Sequence, residues 1–283
     1  MTAEATVADA TVAEATVREA PPRQLILSLY GLYARKGGDW FSVSALITLM
    51  ADLGVDSAAV RSSVSRLKRR GVLEASRREG QAGYALSADS LALLREGDER
   101  IWHRPRATSA DGWLVLVFSV PESERGRRHE LRSLLAGLGF GTVAPGVWVA
   151  PATLYGEAQR ALERAGLTAY TEFFRSDYLG AGDVSTRMRE WWDLDALTDL
   201  YADFCATWRP TIRRRGSSAP ADAFAAYVPM LTAWRRLPYL DPGLPLEHLP
   251  TDWPGIEAGE LFVRLDSQLR DGAHAHAVAV MES

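Results

Sequence analysis

The chain has 283 residues, 47% of them hydrophobic, with one cysteine and a formal net charge of −4. This length suits two or three domains with proper cores, and the lone Cys205 excludes an internal disulfide framework. No apolar run reaches the roughly 18 residues of a membrane-spanning helix, so the composition predicts a cytoplasmic protein with no membrane partner. Mild acidity excludes a bulk polyanion binder of the histone kind.

The N-terminal segment is of low complexity. It repeats Ala-Thr-Val between acidic residues and lacks the basic start and apolar stretch of a signal peptide. We therefore predict a disordered tail over residues 1–20. Pro21 and Pro22 close the tail, and the apolar-rich segment Arg23 to Arg35 predicts a helix that packs under the elements that follow.

The stretch from Phe41 to Leu86 has the order of a winged helix-turn-helix. An amphipathic helix is predicted from Ser42 to Gly54, where the glycine allows a tight turn, and a second helix from Asp56 to Gly71. Asp56 or Ser57 suits the N-cap and Gly71 a left-handed stop. One apolar stripe, at i, i+4 and i+7, predicts the buried face of the second helix: Val60, Val64 and Leu67.

A hairpin and a concentration of positive charge complete this module. Val72 to Leu86 predicts two short strands around a turn containing Glu79, Gly80, Gln81 and Gly83, which would be the wing. Between Ser57 and Arg78 there are seven Lys or Arg residues and a single acidic one. That density is typical of phosphate contacts.

These features predict a partner in double-stranded DNA. The N-terminal residues of the second helix reach base edges in a helix-turn-helix, and an arginine can bind guanine in bidentate fashion. The candidates for base reading are Ser57, Ala58, Arg61, Ser62 and Ser65, with Arg61 the foremost. The candidates for phosphate binding are Arg66, Arg69, Arg77 and Arg78. Two alternatives stay open, a merely solvated arginine face and a winged helix that binds proteins.

The middle of the chain predicts a second domain. After a linking helix over Ser87 to Arg104 and a turn-rich connector, the elements alternate. They are a strand (Trp113 to Pro121), a helix (Glu124 to Gly139), two strands about Pro145-Gly146, a helix (Leu154 to Gly166) and a strand (Leu167 to Arg175). The order β-α-β-β-α-β points to a ferredoxin-like split sheet.

From about Asp183 the pattern becomes helical. Helices are predicted over Ser185 to Arg209 and over Ala219 to Leu240. A proline-rich wrapped loop then extends from Asp241 to Leu261, and a helix over Ile256 to Asp271 ends the ordered part. The predicted fold is thus α+β and multidomain, divided into residues 21–104, 105–182 and 183–283 after the tail.

The chain resembles the PaaX-type transcriptional repressors, regulators of phenylacetic acid degradation, over nearly everything from Pro22 onward. The segments that carry the resemblance are AVRSSVSRLKRRGVL, LVLVFSVPE, GFGTVAPGVWVAP, WDLDALTDLYADF and WRRLPYLDPGLPLEHLPTDWPG. The resemblance implies a winged helix, a central ferredoxin-like domain similar to a small CRISPR-adaptation nuclease, and a helical C-terminal domain. It also implies a homodimer on a partly palindromic operator, released by an effector such as phenylacetyl-CoA or another acyl-CoA.

Enzymatic and metal-binding interpretations are weaker. A nuclease of that type needs an acidic residue at the end of the first strand, yet this strand ends in Ser119-Val120-Pro121 and Asp111 precedes it. His274 and His276 alternate in a segment that predicts an unstructured or strand-like terminus without a third ligand. Cys205 fits a buried small side chain. We therefore predict no catalytic residue, no metal and no cofactor.

The effector pocket is predicted only by chemistry. A coenzyme A thioester has phosphates and an apolar acyl end, so its pocket should combine arginines with aromatic residues. That combination occurs in the C-terminal part, where the candidates are Arg213, Arg214, Arg215, Trp234, Arg235 and Arg236. The alternative is a solvated basic loop with structural tryptophans. A further alternative is a regulator of this architecture that senses another metabolite or none.

Overall fold

A computed structural model describes residues 20–103, 106–180, 182–212 and 219–283. Nearly all of the predicted N-terminal tail lies outside these residues, as do Arg213, Arg214 and Arg215. The described chain is α+β, with a three-stranded and a four-stranded antiparallel sheet among many helices. Within the described residues, no helix combines the length and apolarity needed to span a bilayer.

The N-terminal part begins with helix α1, Pro22–Leu32, which has proline in its first turn, where a missing N–H costs nothing. Strand β1, Trp40–Ser42, leads into helix α2, Val43–Asp52. The Ser42 Oγ caps α2 by accepting from the Ala45 N–H at 3.0 Å. Strand β1 was not predicted, because three residues are too few to show an alternating pattern.

Helix α3, Ser57–Arg69, follows a turn in which Gly54 has a φ of +78°. Strands β2, Leu73–Arg78, and β3, Gln81–Leu86, form the predicted hairpin. Its turn is shorter than predicted: only Glu79 and Gly80 lie between the strands, both with positive φ, which suits a two-residue hairpin. Gln81 and Gly83 belong to β3, which pairs with both β1 and β2.

Helix α4, Ala88–Asp98, links this part to the next and continues into a single π-helical turn, Glu99–His103. The Ser87 Oγ caps α4 by accepting from the Ser90 N–H at 3.3 Å. The predicted linking helix is therefore present, and its irregular end leads toward the central part. Residues 104 and 105 are not described.

The central part has the predicted alternation of strands and helices. The strands are β4, Trp113–Phe118, β5, Gly141–Ala144, β6, Val147–Pro151, and β7, Thr171–Ser176. They form an antiparallel sheet in the order β5-β6-β4-β7. Helices α5, Arg125–Gly137, and α6, Tyr155–Ala165, pack on the sheet through one hydrophobic cluster. The centre of that cluster is formed by Leu114, Leu116, Leu131, Leu135, Ala150 and Leu162.

The C-terminal part is helical: α7, Val184–Trp191, α8, Leu194–Ile212, α9, Pro220–Trp234, the short α10, Leu237–Leu240, and α11, Pro254–Met281. The single helix predicted over Ser185 to Arg209 is in fact two. The helix is interrupted at Trp192 and Asp193. There an Asp193 carboxylate oxygen accepts a hydrogen bond from the Ala196 N–H at 2.9 Å. Side-chain capping of this kind starts a new helix. The apolar stripe continues across this position and therefore did not indicate the boundary.

The wrapped loop after α10 is organised by a buried carboxylate. Asp241 is 1% exposed and accepts hydrogen bonds from the Tyr201 hydroxyl at 2.9 Å and from Arg106 at 2.8 Å. It also accepts from the Gly243 N–H at 3.0 Å. The loop ends earlier than predicted, because Pro254 occupies the first turn of α11 and starts the helix there.

The end of the chain corrects the sequence prediction. Helix α11 does not stop at Asp271 but continues to Met281, so His274 and His276 are helical rather than unstructured or strand-like. Ala273 and Ala277 are fully buried, and the His276 Nε2 lies 2.8 Å from the Asp52 carboxylate at the end of α2. Alanine side chains pack closely but contribute little to a periodic apolar pattern. The predicted helix therefore ended too early in the sequence.

The N-terminal and C-terminal parts share one hydrophobic core. A single cluster includes Leu29 of α1, Leu49 of α2, Phe204 of α8, Phe224 of α9 and Leu265 of α11. The helices of the two ends of the chain are thus packed on each other, while the central part has its own core behind its sheet. The C-terminal helices therefore pack directly against α1 and α2.

Candidate nucleic-acid interface

Helix α3 is built to hold one face in the core and the other in solvent. Asp56 is its N-cap: Oδ1 accepts from the N–H groups of Ala58 and Ala59, both at 2.9 Å. The predicted stripe is buried, together with one serine that the periodicity did not single out: Val60, Ser63, Val64 and Leu67. Only the opposite face is left for a partner.

That outer face is polar and basic. All seven predicted residues of the helix are exposed: Ser57, Ala58, Arg61, Ser62, Ser65, Arg66 and Arg69. Arg61 makes no hydrogen bond or ion pair with any described residue, so its guanidinium is available to a ligand. Arg66 is partly engaged, since its Nη2 donates to the Ser63 Oγ at 3.2 Å.

One exposed cation of this face was missing from the predicted site. Lys68 is exposed and its Nζ lies 5.6 Å from the centre of the Tyr84 ring on β3. This cation–π contact ties the end of α3 to the hairpin. The signal was present in the sequence, because a spacing of seven residues places Lys68 on the same helix face as Arg61.

The two hairpin arginines differ in their surroundings. Arg77 is exposed on β2. Arg78 is also exposed, but its Nη2 donates to the Gly38 carbonyl and its guanidinium lies 5.6 Å from the centre of the Trp40 ring. Arg78 thus holds the hairpin against the start of β1, whereas Arg77 has no such contact within the described residues; phosphate binding by either residue stays a prediction.

Three of the predicted effector residues are described, Trp234, Arg235 and Arg236, and their surroundings differ. Trp234 is 2% exposed, and its ring is stacked on that of Phe262 with 4.4 Å between the ring centroids. Its Nε1 donates to the Ile101 carbonyl at 3.1 Å. It is therefore a core residue. Arg235 and Arg236 are both partly buried, and of the two only Arg235 lines a cavity between α1 and the C-terminal helices. Burial lowers the pKa of each guanidinium.

Asp111 and Cys205, the residues considered for chemistry, have contacts typical of a capping residue and of a core residue. Asp111 precedes β4 and accepts from the Thr108 N–H at 2.7 Å and the Thr108 hydroxyl at 2.9 Å. These hydrogen bonds lower the pKa of its carboxyl group, as expected of a capping residue. Cys205 is buried in the core, and burial raises the pKa of its thiol. A buried thiol with a raised pKa is a poor nucleophile.

The geometry defines a three-part α+β protein that presents a basic helix and a hairpin at one end. Three family models match its successive parts: "PaaX-like protein" over residues 21–90, "PaaX protein central Cas2-like domain" over residues 106–187, and "PaaX-like protein C-terminal domain" over residues 192–279. The chain belongs to the PaaX family.

Two proteins illustrate the relationship. The "Transcriptional repressor PaaX" of Escherichia coli (strain K12) is 28% identical over 260 residues, which cover 89% of this chain and 81% of that protein. The solved structure of "Uncharacterized protein Rv0674 from Mycobacterium tuberculosis" superposes with a TM-score of 0.54 at 24% identity. The superposition covers 89% of this chain and 96% of the chain in that structure. The second similarity concerns the fold alone.

Proposed function

We propose that this protein is a sequence-specific, DNA-binding transcriptional repressor without enzymatic activity that acts in the cytoplasm. The observation that carries the proposal is the exposed basic face of α3, which is capped at Asp56 and flanked by the β2–β3 hairpin. Membership of a family that includes a transcriptional repressor supports it. In this proposal the N-terminal part is a winged helix-turn-helix with α3 as its recognition helix.

Within the interface we assign two roles. Arg61 lies in the first half of α3 and reads base edges, with the exposed small residues around it allowing close approach to the groove floor. Arg66, Lys68, Arg69 and Arg77 bind phosphates, which positions the protein without specifying sequence. Arg78 supports the hairpin through Gly38 and Trp40 and adds charge to the same surface.

The remaining parts serve assembly and control. The strand order β5-β6-β4-β7 with two helices packed on the sheet supports our proposal of a ferredoxin-like fold for the central part. We propose that the protein binds a partly palindromic operator as a homodimer. An acyl-CoA such as phenylacetyl-CoA releases it from the DNA, in keeping with the family resemblance.

Genomic footprinting of the purified protein tests the proposal, followed by gel shifts on the recovered sites. We expect discrete footprints with a shared, partly symmetric sequence, and an affinity that falls steeply with salt. A protein-interaction scaffold would show neither property. Analytical ultracentrifugation with and without the operator tests the dimer.

A further inference from the structure

A cavity of about 660 Å³ lies where the N-terminal part meets the C-terminal helices. Helices α1, α4, α9 and α11 and the π-helical turn after α4 all contribute to its walls. Much of the lining is apolar or aromatic, including Leu27, Ile101, Leu231, Phe262 and Trp102. The volume falls within the roughly 300–1,000 Å³ typical of small-molecule sites.

Most charged groups of the lining already have partners. Arg35 forms a bidentate pair with Asp98. Asp266 accepts from the Tyr227 hydroxyl at 2.6 Å and from Arg270, whose guanidinium lies 5.1 Å from the centre of the Trp102 ring. The third carboxylate of the lining, Asp271, is exposed to solvent. These groups are satisfied without a ligand.

Two polar groups of the lining are not satisfied. Arg235 donates only to the Gln24 carbonyl, at 3.2 Å, and no carboxylate of the described residues pairs with its charge. Burial lowers its pKa to about 10, which leaves it a cation at neutral pH. The Tyr33 hydroxyl is buried and has no hydrogen-bond partner in the described part of the chain. Burial raises its pKa, so it remains a donor. A cation without a paired anion and an unpaired hydroxyl donor in one cavity favour a ligand that carries an acceptor oxygen.

We propose that this cavity is the effector site. It takes an apolar, ring-sized acyl group whose carboxylate or carbonyl oxygen accepts from Arg235 and Tyr33, while the aromatic and aliphatic walls enclose the ring. The acyl group comes either as a free carboxylate or on a thioester carrier. This inference rests on the proposed function in one respect, that occupancy controls DNA binding.

The position of the cavity explains how a bound ligand would affect the DNA interface. Tyr33 directly follows α1, whose core residues pack with those of α3 and α9 in the cluster shared by both ends of the chain. Arg235 directly follows α9. A ligand bridging the two changes how α1 sits on the C-terminal helices, and it shifts the equilibrium by as much as its affinities for the two arrangements differ.

Calorimetry with three probes tests the proposal: phenylacetate, phenylacetyl-CoA and coenzyme A alone. The full chain is compared with Tyr33→Phe, which keeps the ring and removes the idle hydroxyl, and Arg235→Gln. Arg236→Gln is the matched control, because Arg236 is the neighbouring arginine and does not line the cavity. We expect one or both acyl probes to bind and coenzyme A not to bind. Both cavity variants should lose about tenfold or more in affinity and the control less than twofold.

Binding of phenylacetate identifies the free carboxylate as the source, and binding of phenylacetyl-CoA alone identifies the thioester. The proposal is overturned if neither acyl probe binds, if coenzyme A binds equally well, or if the cavity variants bind like the parent or no worse than Arg236→Gln. Should Arg235→Gln fail to fold, Tyr33→Phe decides. A gel shift of the ligand-free parent on footprinted DNA is run in parallel, because its failure overturns the proposed function and not the ligand site.

Discussion

At the scale of single residues, similar side chains have different tasks because their partners differ. Arg77 and Arg78 are adjacent, yet only Arg78 is bound to Gly38 and lies over Trp40. Arg235 and Arg236 are adjacent too, yet only Arg235 lines the cavity. Residue type therefore indicates which chemistry is possible, and the neighbours decide which residue performs it.

The difference between base reading and phosphate binding gives the first prediction. Arg61→Ala should reduce the preference for operator over random duplex by about 1–3 kcal/mol, because a bidentate base contact is lost. Arg77→Ala should weaken both complexes alike and lower the salt slope by about one. Gel shifts over a salt series on both duplexes provide the measurement. Equal losses on both duplexes for Arg61→Ala would contradict its role as a base reader.

A second residue-scale prediction concerns acid stability. Glu247 accepts from the N–H and the hydroxyl of Ser109, both at 2.6 Å, and these hydrogen bonds lower its pKa from 4.5 to about 2. A lowered pKa means that the ionised form stabilises the fold above about pH 4.5 and that this contribution is lost as the pH falls toward 2. Glu247 is exposed, so solvent screening keeps the effect small.

Urea unfolding at pH values between 2 and 6 tests the predicted contribution of Glu247 to acid stability. The stability of the parent should fall more steeply between pH 4.5 and 2 than that of Glu247→Gln, which cannot ionise. Ser109→Ala should flatten the profile in the same direction, because one donor is lost. Parallel profiles for all three proteins would show that this contact has no part in acid unfolding.

At the scale of elements, the three-stranded sheet depends on one glycine. Gly83 of β3 lies between β1 and β2, and a Cβ there would come within 2.3 Å of the Phe41 carbonyl oxygen and of the Trp40 ring. Neither can move easily, because Phe41 is in a strand and Trp40 also lies under Arg78. The hairpin can therefore sit close to β1 only with glycine at this position.

Gly83→Ala should accordingly lower the free energy of unfolding by about 2 kcal/mol or more. Gly126→Ala is the matched control: it lies near the start of α5, where a Cβ would meet no atom within 4 Å. It should be neutral or stabilise by less than about 1 kcal/mol. Chemical denaturation of both variants makes the comparison, and similar stabilities would refute the close packing of β1 on β3.

At the scale of the whole molecule, the two ends of the chain form one structural unit. The last turns of α11 reach α2 through the pair of His276 with Asp52, and Ala277 is fully buried in the cluster shared by both ends of the chain. The Tyr33 ring is stacked on His274 with 6.1 Å between centroids. The packing of the N-terminal part therefore depends on residues more than two hundred positions away in the sequence.

The corresponding prediction uses two alanines of α11. Ala277→Glu would bury a charge in the shared cluster and should cost about 3 kcal/mol or more, with loss of DNA binding as the N-terminal helices lose packing. Ala279→Glu, on the exposed side of the same turn, should stay within about 0.5 kcal/mol. Thermal unfolding and gel shifts on both variants would test it, and a tolerated Ala277→Glu would show that the C-terminus does not support the DNA-binding part.

The sequence by itself determined the features that are encoded locally. The N-cap of α3, its apolar stripe, its basic outer face and the order of strands and helices in the central part follow from spacings of a few residues, and the structure has them. Capping, helical periodicity and turn preference act between near neighbours, so they can be recognised without the tertiary structure.

Only the tertiary structure decided which arginines of two adjacent pairs have distant partners, that Trp234 is a core residue, and that α11 continues to Met281. Arg78 meets Gly38 across forty positions and His276 meets Asp52 across 224. The cavity joins residues of α1 and α11 that no local pattern relates. Contacts of that range come from packing of whole elements, and the local spacing of residues does not record them.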